Sequence, residues 1–180
     1  MSVIHILGAS GSGVSTLGKA LAEVYHYCYL DTDNFFWEHT DPPFTIKRDE
    51  KERVNLLLDE FNNYQNIVLS GSLCGWGDVL IPYFSLVINV ETPQDIRLKR
   101  LKDREYNHFG SRILLGGDMF ENHEAFIEWA IKFDAADLKQ RSKVSHDKWL
   151  NNIECLKITV DGTKSTSELI QEIQTKYKDI

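Results

Sequence analysis

Short apolar runs of strand length alternate along the chain with longer segments whose apolar residues recur at helical spacing. Val14, Leu17, Leu21 and Val24 lie three or four residues apart, which gives a helix one apolar face. The short runs are rich in β-branched or aromatic residues, which favours strands, and they cover residues 3–7, 27–30, 67–69, 86–90 and 156–160. This alternation is typical of a parallel sheet covered by crossover helices and predicts an α/β fold with five strands.

Capping residues support two of the predicted helices. Thr92 is followed by Pro93 and then by Asp95, which predicts an N-cap, a first-turn proline and an acidic partner after the fourth strand. Ser165 and Glu168 have the spacing of a capping box, which predicts the start of the C-terminal helix.

Length, composition and charge narrow the class of protein. The chain has 180 residues, of which 42% are hydrophobic and 26% charged, as in a soluble single domain. Its net charge of −7 argues against wrapping of nucleic acid or of an anionic membrane. The three cysteines are scattered along the sequence, so we expect free thiols. Neither a membrane-spanning segment nor a signal peptide is evident, and we therefore expect a cytoplasmic protein.

A glycine-rich segment follows the first predicted strand and leads directly into the first helix. This is the context that a phosphate-binding loop requires, because glycines let the backbone approach an anion to which the helix N-terminus points. The Ser15 hydroxyl is then a candidate ligand of Mg²⁺. The predicted nucleotide-binding residues are Gly8, Ser10, Gly11, Ser12, Gly13, Val14, Ser15 and Thr16.

The loop departs from the usual GxxxxGK[ST] pattern because Val14 stands where the lysine is expected. Loss of a charge-assisted hydrogen bond costs about 1.5–3 kcal/mol, so another cation is needed beside the phosphates. Lys19 lies about 140° around the helix from Val14 and is a weak substitute. An arginine from a closing loop is the stronger candidate.

With these motifs the chain resembles the nucleoside monophosphate kinases and shikimate-kinase-like small-molecule kinases among the P-loop NTPases. More narrowly, it resembles uncharacterised bacterial adenylate-kinase-related proteins of the AAA-family ATPase type. The resemblance implies one three-layer domain over residues 1–180 with a parallel sheet of order 2-3-1-4-5 and helices on both faces. It also implies a small mobile lid, which we place at about residues 105–120.

Two aspartates end the second predicted strand, at the sheet edge that faces the ligand crevice. Side chains two residues apart in an extended segment point the same way, so Asp31 and Asp33 are able to act together. The resemblance to shikimate-kinase-like enzymes implies that Asp31 lies on the metal side and Asp33 on the acceptor side. The alternative for Asp33 is a turn or cap residue.

The third strand ends in small residues where other P-loop proteins place an aspartate. The same resemblance implies that Ser70, Gly71 and Ser72 contact the acceptor. Arg48 and Arg53 follow an aromatic loop, and either is a candidate clamp for a carboxylate or phosphate of the acceptor. For Arg53 a solvated helix face is the stronger interpretation.

Arg97, Arg100 and Arg104 recur at intervals of three and four residues on the helix after the fourth strand. They form a candidate phosphate clamp, and Arg100 and Arg104 lie nearest to the predicted lid. Arg112 is the clamp residue of the lid itself. The alternative is a solvated face whose arginines pair with neighbouring carboxylates.

These observations predict a phosphotransferase that uses ATP and Mg²⁺. Its partners are a nucleotide and a small acceptor, either a second nucleotide or a hydroxylated metabolite. The predicted catalytic residues are Asp33, Arg100, Arg104 and Arg112. Two alternatives remain open, a nucleotide-binding or regulatory protein without turnover and a simple NTP hydrolase.

Overall fold

The computed structural model describes residues 1–138 and 140–177 and contains one parallel sheet of order β2-β3-β1-β4-β5. Its strands are β1 (Ser2–Gly8), β2 (Cys28–Asp31), β3 (Asn66–Ser70), β4 (Phe84–Glu91) and β5 (Leu156–Asp161). The α/β class, the number of strands and their order are those predicted. The pattern located every strand with ends that differ by at most two residues.

Seven α-helices in the described ranges connect and cover these strands. They are α1 (Val14–Tyr25), α2 (Asp33–Phe36), α3 (Glu50–Asn63), α4 (Gln94–Phe109), α5 (Phe120–Ile131), α6 (Lys143–Asn151) and α7 (Thr166–Lys176). Short 3-10 helices span Asp78–Tyr83, Gly110–Ile113 and Lys132–Asp134. No helix in the described ranges is long and apolar enough to cross a membrane.

Apolar clusters on the two faces of the sheet fix which helices cover each face. Leu17 of α1 and Ile173 of α7 pack on one face, and Leu57 of α3 and Trp149 of α6 pack on the other. The buried stripe of α1 ends at Ala22, since Val24 is 46% exposed. Helices on both faces leave the carboxyl edge of the sheet open, where ligands bind in folds of this kind.

The helix starts show one correct cap prediction and one error. Ser165 and Glu168 form the predicted capping box at α7. At α4 the N-cap is Pro93 and not Thr92, because the Thr92 hydroxyl donates instead to the Ser12 carbonyl at 3.0 Å. Thr92 therefore ties the fourth strand to the glycine-rich loop. The three cysteines are free thiols that are partly exposed.

Two buried histidines make the stability of the fold depend on pH. His5 packs against the rings of Phe84 and Trp149, and its Nδ1 is 3.1 Å from the Leu69 carbonyl oxygen. Burial lowers the pKa of both His5 and His146 from 6.5 to about 3. Both side chains are therefore neutral in the folded protein, whereas the unfolded chain binds protons below pH 6.5.

We expect the free energy of unfolding to be highest above pH 7 and to fall as the pH drops through 6.5. The linkage relation gives a loss of about 2 kcal/mol per histidine between pH 7.5 and pH 5. Urea unfolding at the two pH values measures it. His5→Leu removes one of the two buried titrating groups and should reduce this pH dependence by about half. An undiminished dependence in His5→Leu would contradict the role of His5.

Candidate active site

The glycine-rich loop between β1 and α1 exposes the start of a helix to the sheet edge. Gly11 and Gly13 have φ values of 81° and 104°, which L side chains rarely adopt, so glycine is required at both positions. Gly13 is the N-cap of α1, and no side chain caps this helix. The backbone N–H groups of the first turn are thus available to an anion.

Gly11→Ala tests whether this loop geometry is needed for nucleotide binding. A Cβ at Gly11 would lie 2.5 Å from the Arg97 carbonyl oxygen, in addition to the backbone strain of about 1–3 kcal/mol. We expect at least tenfold weaker binding of ATP, measured by titration calorimetry. Gly75→Ala is the matched control, because Gly75 also has a positive φ but nothing within 4 Å of its Cβ position, and it lies outside the loop and the predicted lid.

Val14 supplies no charge to the loop. Its side chain is 9% exposed and packs in the cluster beneath α1. Lys19 forms no hydrogen bond with the phosphate loop in the described structure, and its Nζ lies 5.7 Å from the centre of the Tyr29 ring. The cation missing at position 14 therefore has to come from another element.

Arg100 of α4 lies against the phosphate loop. Its Nη1 donates to the Gly162 carbonyl at 2.9 Å and is 3.5 Å from the Ser12 carbonyl oxygen. A Cβ at Gly13 would be 3.9 Å from the same nitrogen. Arg100 thus joins the phosphate loop to the turn after β5 and holds a positive charge beside the start of α1.

Arg97 does not belong to the predicted clamp. Its side chain is 1% exposed, and it donates to the Thr92 carbonyl and pairs with Asp134. The three arginines are spaced as predicted, but α4 turns Arg97 inwards because this part of the helix lies against the carboxyl edge of the sheet. Arg104 is 60% exposed and forms an ion pair with Glu105 at 3.2 Å.

Asp31 at the end of β2 contacts the start of α1. Its Oδ2 accepts hydrogen bonds from the Ser15 hydroxyl at 3.1 Å and from the Tyr29 hydroxyl at 2.9 Å. Burial and the nearby carboxylate raise the pKa of Tyr29 to about 12, so Tyr29 stays a donor. The two predicted metal ligands, Ser15 and Asp31, therefore lie next to each other at the mouth of the loop.

Asp33 opens the short helix α2 at the same edge. Its side chain reaches solvent, yet the surrounding protein removes part of its hydration and raises its pKa, as does the charge of Asp31. The positive charges of Arg141 and Arg104 lower the pKa of Asp33 and so offset part of this increase. A carboxylate with a raised pKa beside a phosphate loop is suited to accept a proton.

Arg141 is a site residue that the sequence reasoning missed. Its Nη2 donates to the Gly8 carbonyl at 2.8 Å, its Nε to His146 Nε2 at 3.3 Å, and its charge acts on Asp33. Burial lowers its pKa from the usual value. Arg141 precedes Ser142, which caps α6, and no repeat or motif marks it, so only the tertiary fold reveals it.

The turn after β3 corrects one predicted acceptor contact. Ser70 is fully buried and its hydroxyl donates to the Val14 carbonyl at 3.4 Å, so it faces α1 instead of the cleft. At Gly71 the backbone has a φ of 114° and passes close to Thr32, whose Oγ1 would lie 1.8 Å from a Cβ. Ser72 is beside the site, 3.2 Å from His146 Nε2.

Both arginines after the aromatic loop are held by contacts within the protein. Arg48 donates to the Phe35 carbonyl at 3.1 Å and to Glu52 at 2.8 Å, so it holds the loop in place. Arg53 is 9% exposed, and its guanidinium lies 3.9 Å from the centre of the Phe36 ring. The solvated face predicted for Arg53 is wrong.

Arg112 lies in the Gly110–Ile113 helix and forms ion pairs with Asp118 and with Asp41, both at 2.7 Å. These bonds connect the predicted lid to the loop between α2 and α3. Its guanidinium is 38% exposed, and the contacts observed are with carboxylates and not with the phosphate loop. Its role as a clamp stays a prediction.

Comparisons with known proteins match this architecture. A family model described as an AAA domain matches residues 4–128. "Uncharacterized protein YqaC" of Bacillus subtilis (strain 168) is 41% identical over 170 residues, which cover 94% of each chain. A cytidylate kinase of Methanococcoides burtonii is 27% identical over 127 residues, covering 62% of this chain and 67% of the kinase.

A solved structure carries the same fold. The shikimate kinase from Bacteroides thetaiotaomicron superposes with a TM-score of 0.58 and covers 97% of both chains, at 15% sequence identity. An identity this low is evidence for the fold alone. The fold is thus that of P-loop kinases, with the glycine-rich loop and the aspartates at its open edge.

Proposed function

This chain belongs to the AAA-domain family, in the P-loop group of nucleoside monophosphate and shikimate-like kinases, and on this basis we propose that it is a kinase. In the proposal it transfers the γ-phosphate of ATP to a hydroxyl group of a small metabolite. The proposal rests mainly on Asp33. This carboxylate lies at the open end of β2, beside Asp31, and its pKa is raised towards that of a general base. A protein that only binds nucleotide has no need of such a group.

The proposed step balances as a phosphoryl transfer. Asp33 accepts the proton of the acceptor hydroxyl, and the oxygen forms a bond to the γ-phosphorus. The bond between that phosphorus and the β,γ-bridging oxygen breaks, and ADP leaves. Because such a reaction needs little covalent chemistry from the protein, most of the acceleration comes from positioning and from charge stabilisation.

Arginines take the place of the missing loop lysine in this proposal. Arg100 lies beside Ser12 of the loop, Arg141 is bonded to Gly8, and Arg104 acts on Asp33 through its charge. Three guanidinium groups, two from α4 and one from the segment before α6, thus lie near the region in which the phosphates would bind. They supply positive charge where the equatorial oxygens become more negative.

The residues at the mouth of the loop also fit Mg²⁺. The ion prefers oxygen ligands and is usually held by one or two carboxylates together with substrate phosphates and water. The Ser15 hydroxyl and the Asp31 carboxylate are 3.1 Å apart and provide two such donors. When bound, Mg²⁺ would neutralise charge on the β- and γ-phosphates.

The segment of about residues 105–120 is proposed as a lid that closes over the phosphates. Arg112 would exchange Asp41 and Asp118 for phosphate oxygens on closure, since both present partners are at the surface. Gly110 and Gly116, with φ values of 57° and 89°, lie at the two ends of the turn that carries it. Closure excludes water, which favours transfer over hydrolysis.

Arg53 indicates that the acceptor carries an anionic group. It is held by the Phe36 ring and by its Nε bond to the Arg48 carbonyl at 2.7 Å, and no carboxylate of the described residues forms an ion pair with it. Such a guanidinium is preorganised for a carboxylate or phosphate. Phe36 belongs to α2, as does Asp33, so the two groups can hold different ends of one molecule.

A screen of acceptors tests this function. ADP release is measured with ATP and Mg²⁺ in the presence of hydroxylated carboxylates, of phosphorylated polyols or of nucleoside monophosphates. We expect release to depend on one of the first two groups. Release that depends only on nucleoside monophosphates would contradict the hydroxyl acceptor.

Arg53→Met tests the acceptor class separately. The variant keeps the packing on Phe36 but loses the charge, so we expect the KM for the acceptor to rise at least tenfold while the KM for ATP changes less than twofold. Lys51→Met is the control, because this exposed residue also lies in the first turns of α3. Equal loss of affinity for both substrates would indicate a structural role for Arg53.

The buried side chain of Val14 favours a second candidate, a nucleotide-binding protein without turnover. That protein would bind ATP and release no ADP with any acceptor.

The three free cysteines fit the reducing cytoplasm in either case. The net charge of −7 likewise supports small-molecule partners over nucleic acid.

A further inference from the structure

A cavity that Asp33 does not line opens at the carboxyl ends of β4 and β5. It has a volume of about 460 Å³ and lies between α6, the Lys132–Asp134 helix and the first turn of α4. Of the phosphate loop only Ala9 lines it. Its size is in the range of about 300–1,000 Å³ that is usual for small-molecule sites.

Arg97 supplies the evidence that this cavity is built for a ligand. Its side chain is 1% exposed, its Nε donates to the Thr92 carbonyl at 3.0 Å, and its Nη2 donates to Asp134. Its Nη1 is buried and has no hydrogen-bond partner in the described part of the chain. Buried guanidinium N–H groups are rarely left without an acceptor, so Nη1 is available to donate to an oxygen atom of a molecule in the cavity.

The charges around the cavity restrict what can supply that oxygen. Two cations, Arg97 and Lys143, face four carboxylates, Glu91, Asp134, Asp147 and Asp161. Lys143 is already paired with Glu91 at 2.8 Å. A phosphate would therefore meet an excess of negative charge, whereas a neutral molecule with hydroxyl groups can donate to the carboxylates.

We propose that this cavity binds an uncharged molecule that offers a carbonyl oxygen to Arg97 Nη1 and hydroxyl groups to the carboxylates. Nucleosides combine these features, since a base carries the carbonyl and the ribose carries a vicinal diol. Phe133, which is 8% exposed, adds an apolar wall for the ring. The inference does not rest on the proposed kinase function, because none of the proposed catalytic residues lines this cavity.

Titration calorimetry of the full chain with cytidine, uridine or guanosine, each with a carbonyl on its base, tests the proposal. We expect at least one nucleoside to bind saturably with one site per chain. Arg97→Lys keeps the charge but removes Nη1 and should weaken binding at least tenfold. Thr159→Trp fills the cavity from an exposed position on β5 and should weaken it at least twentyfold, so the proposal stays testable even where Arg97→Lys fails to fold.

Two further variants locate the site. Asp59→Asn, an exposed change on α3, should leave the nucleoside affinity unchanged, and so should Arg53→Met. Absence of saturable binding by every nucleoside would overturn the proposal. Binding that survives Thr159→Trp would also overturn it, as would an apparent Kd that rises in proportion to the ATP concentration.

Discussion

Asp33→Asn should lower the rate of phosphoryl transfer by about 10²–10⁴-fold while the affinity for ATP changes less than threefold. The amide is nearly isosteric with the carboxylate but cannot accept the proton of the acceptor hydroxyl. In the proposal Asp33 lies on the acceptor side of the site, and no hydrogen bond joins it to the glycine-rich loop in the described structure. Initial rates of ADP release and titration calorimetry with ATP measure the two effects.

The pH dependence of the rate provides a second readout. Because the pKa of Asp33 is raised by desolvation and by Asp31, the acidic limb of kcat should begin above the ordinary value of 3.8 for aspartate. In Asp33→Asn this limb should disappear from the residual activity. Asp59→Asn is the matched control and should behave as the unchanged protein. A normal rate of phosphoryl transfer in Asp33→Asn would contradict its catalytic role and leave Asp33 as a turn residue.

Arg104→Ala should lower kcat by about 10²–10³-fold and weaken ATP binding by less than threefold. The side chain is 60% exposed and pairs only with Glu105 among the described residues, so its removal costs the fold little. Its charge acts on Asp33 and, in the proposal, on oxygens that become more negative during transfer. Single-turnover rates separate the chemical step from binding.

Lys102→Ala is the control for Arg104, since it removes one positive charge from an exposed position of the same helix. We expect it to change kcat less than twofold. Equal losses of kcat and ATP affinity in Arg104→Ala would mean that Arg104 binds the ground state and has no special role in the transition state. Unfolding measurements on all variants exclude a general loss of structure.

The hydrophobic pattern predicted the fold because strands and helices each depend on local spacing. The runs at 3–7 and 86–90 lie in the central strands β1 and β4, where most residues are buried. The phosphate loop was equally visible, since Gly11 and Gly13 are needed for backbone angles that few other residues adopt. Such features depend on residues that are close together in the sequence, so they can be found without tertiary information.

The roles of the arginines were harder to predict because they depend on which helix face is covered. Arg97 and Arg100 have the same spacing signal, yet one is buried beside Asp134 and the other lies on the phosphate loop. The solvated position predicted for Arg53 was wrong. Arg53, Leu57 and Phe61 lie four residues apart and share the buried face of α3, and this spacing is visible in the sequence. Arg141 had no local signal, since the two partners that tie it to the site, Gly8 and Asp33, lie more than a hundred residues away.

Phosphorus NMR tests the central claim most directly. The protein is incubated with ATP and Mg²⁺, with hydroxylated metabolites pooled in one tube and nucleoside monophosphates in another. We predict ADP together with one new phosphoryl resonance in the tube of hydroxylated metabolites. Unchanged ATP in both tubes, or free phosphate as the sole new product, would contradict the assignment of this protein as a kinase of a hydroxylated acceptor.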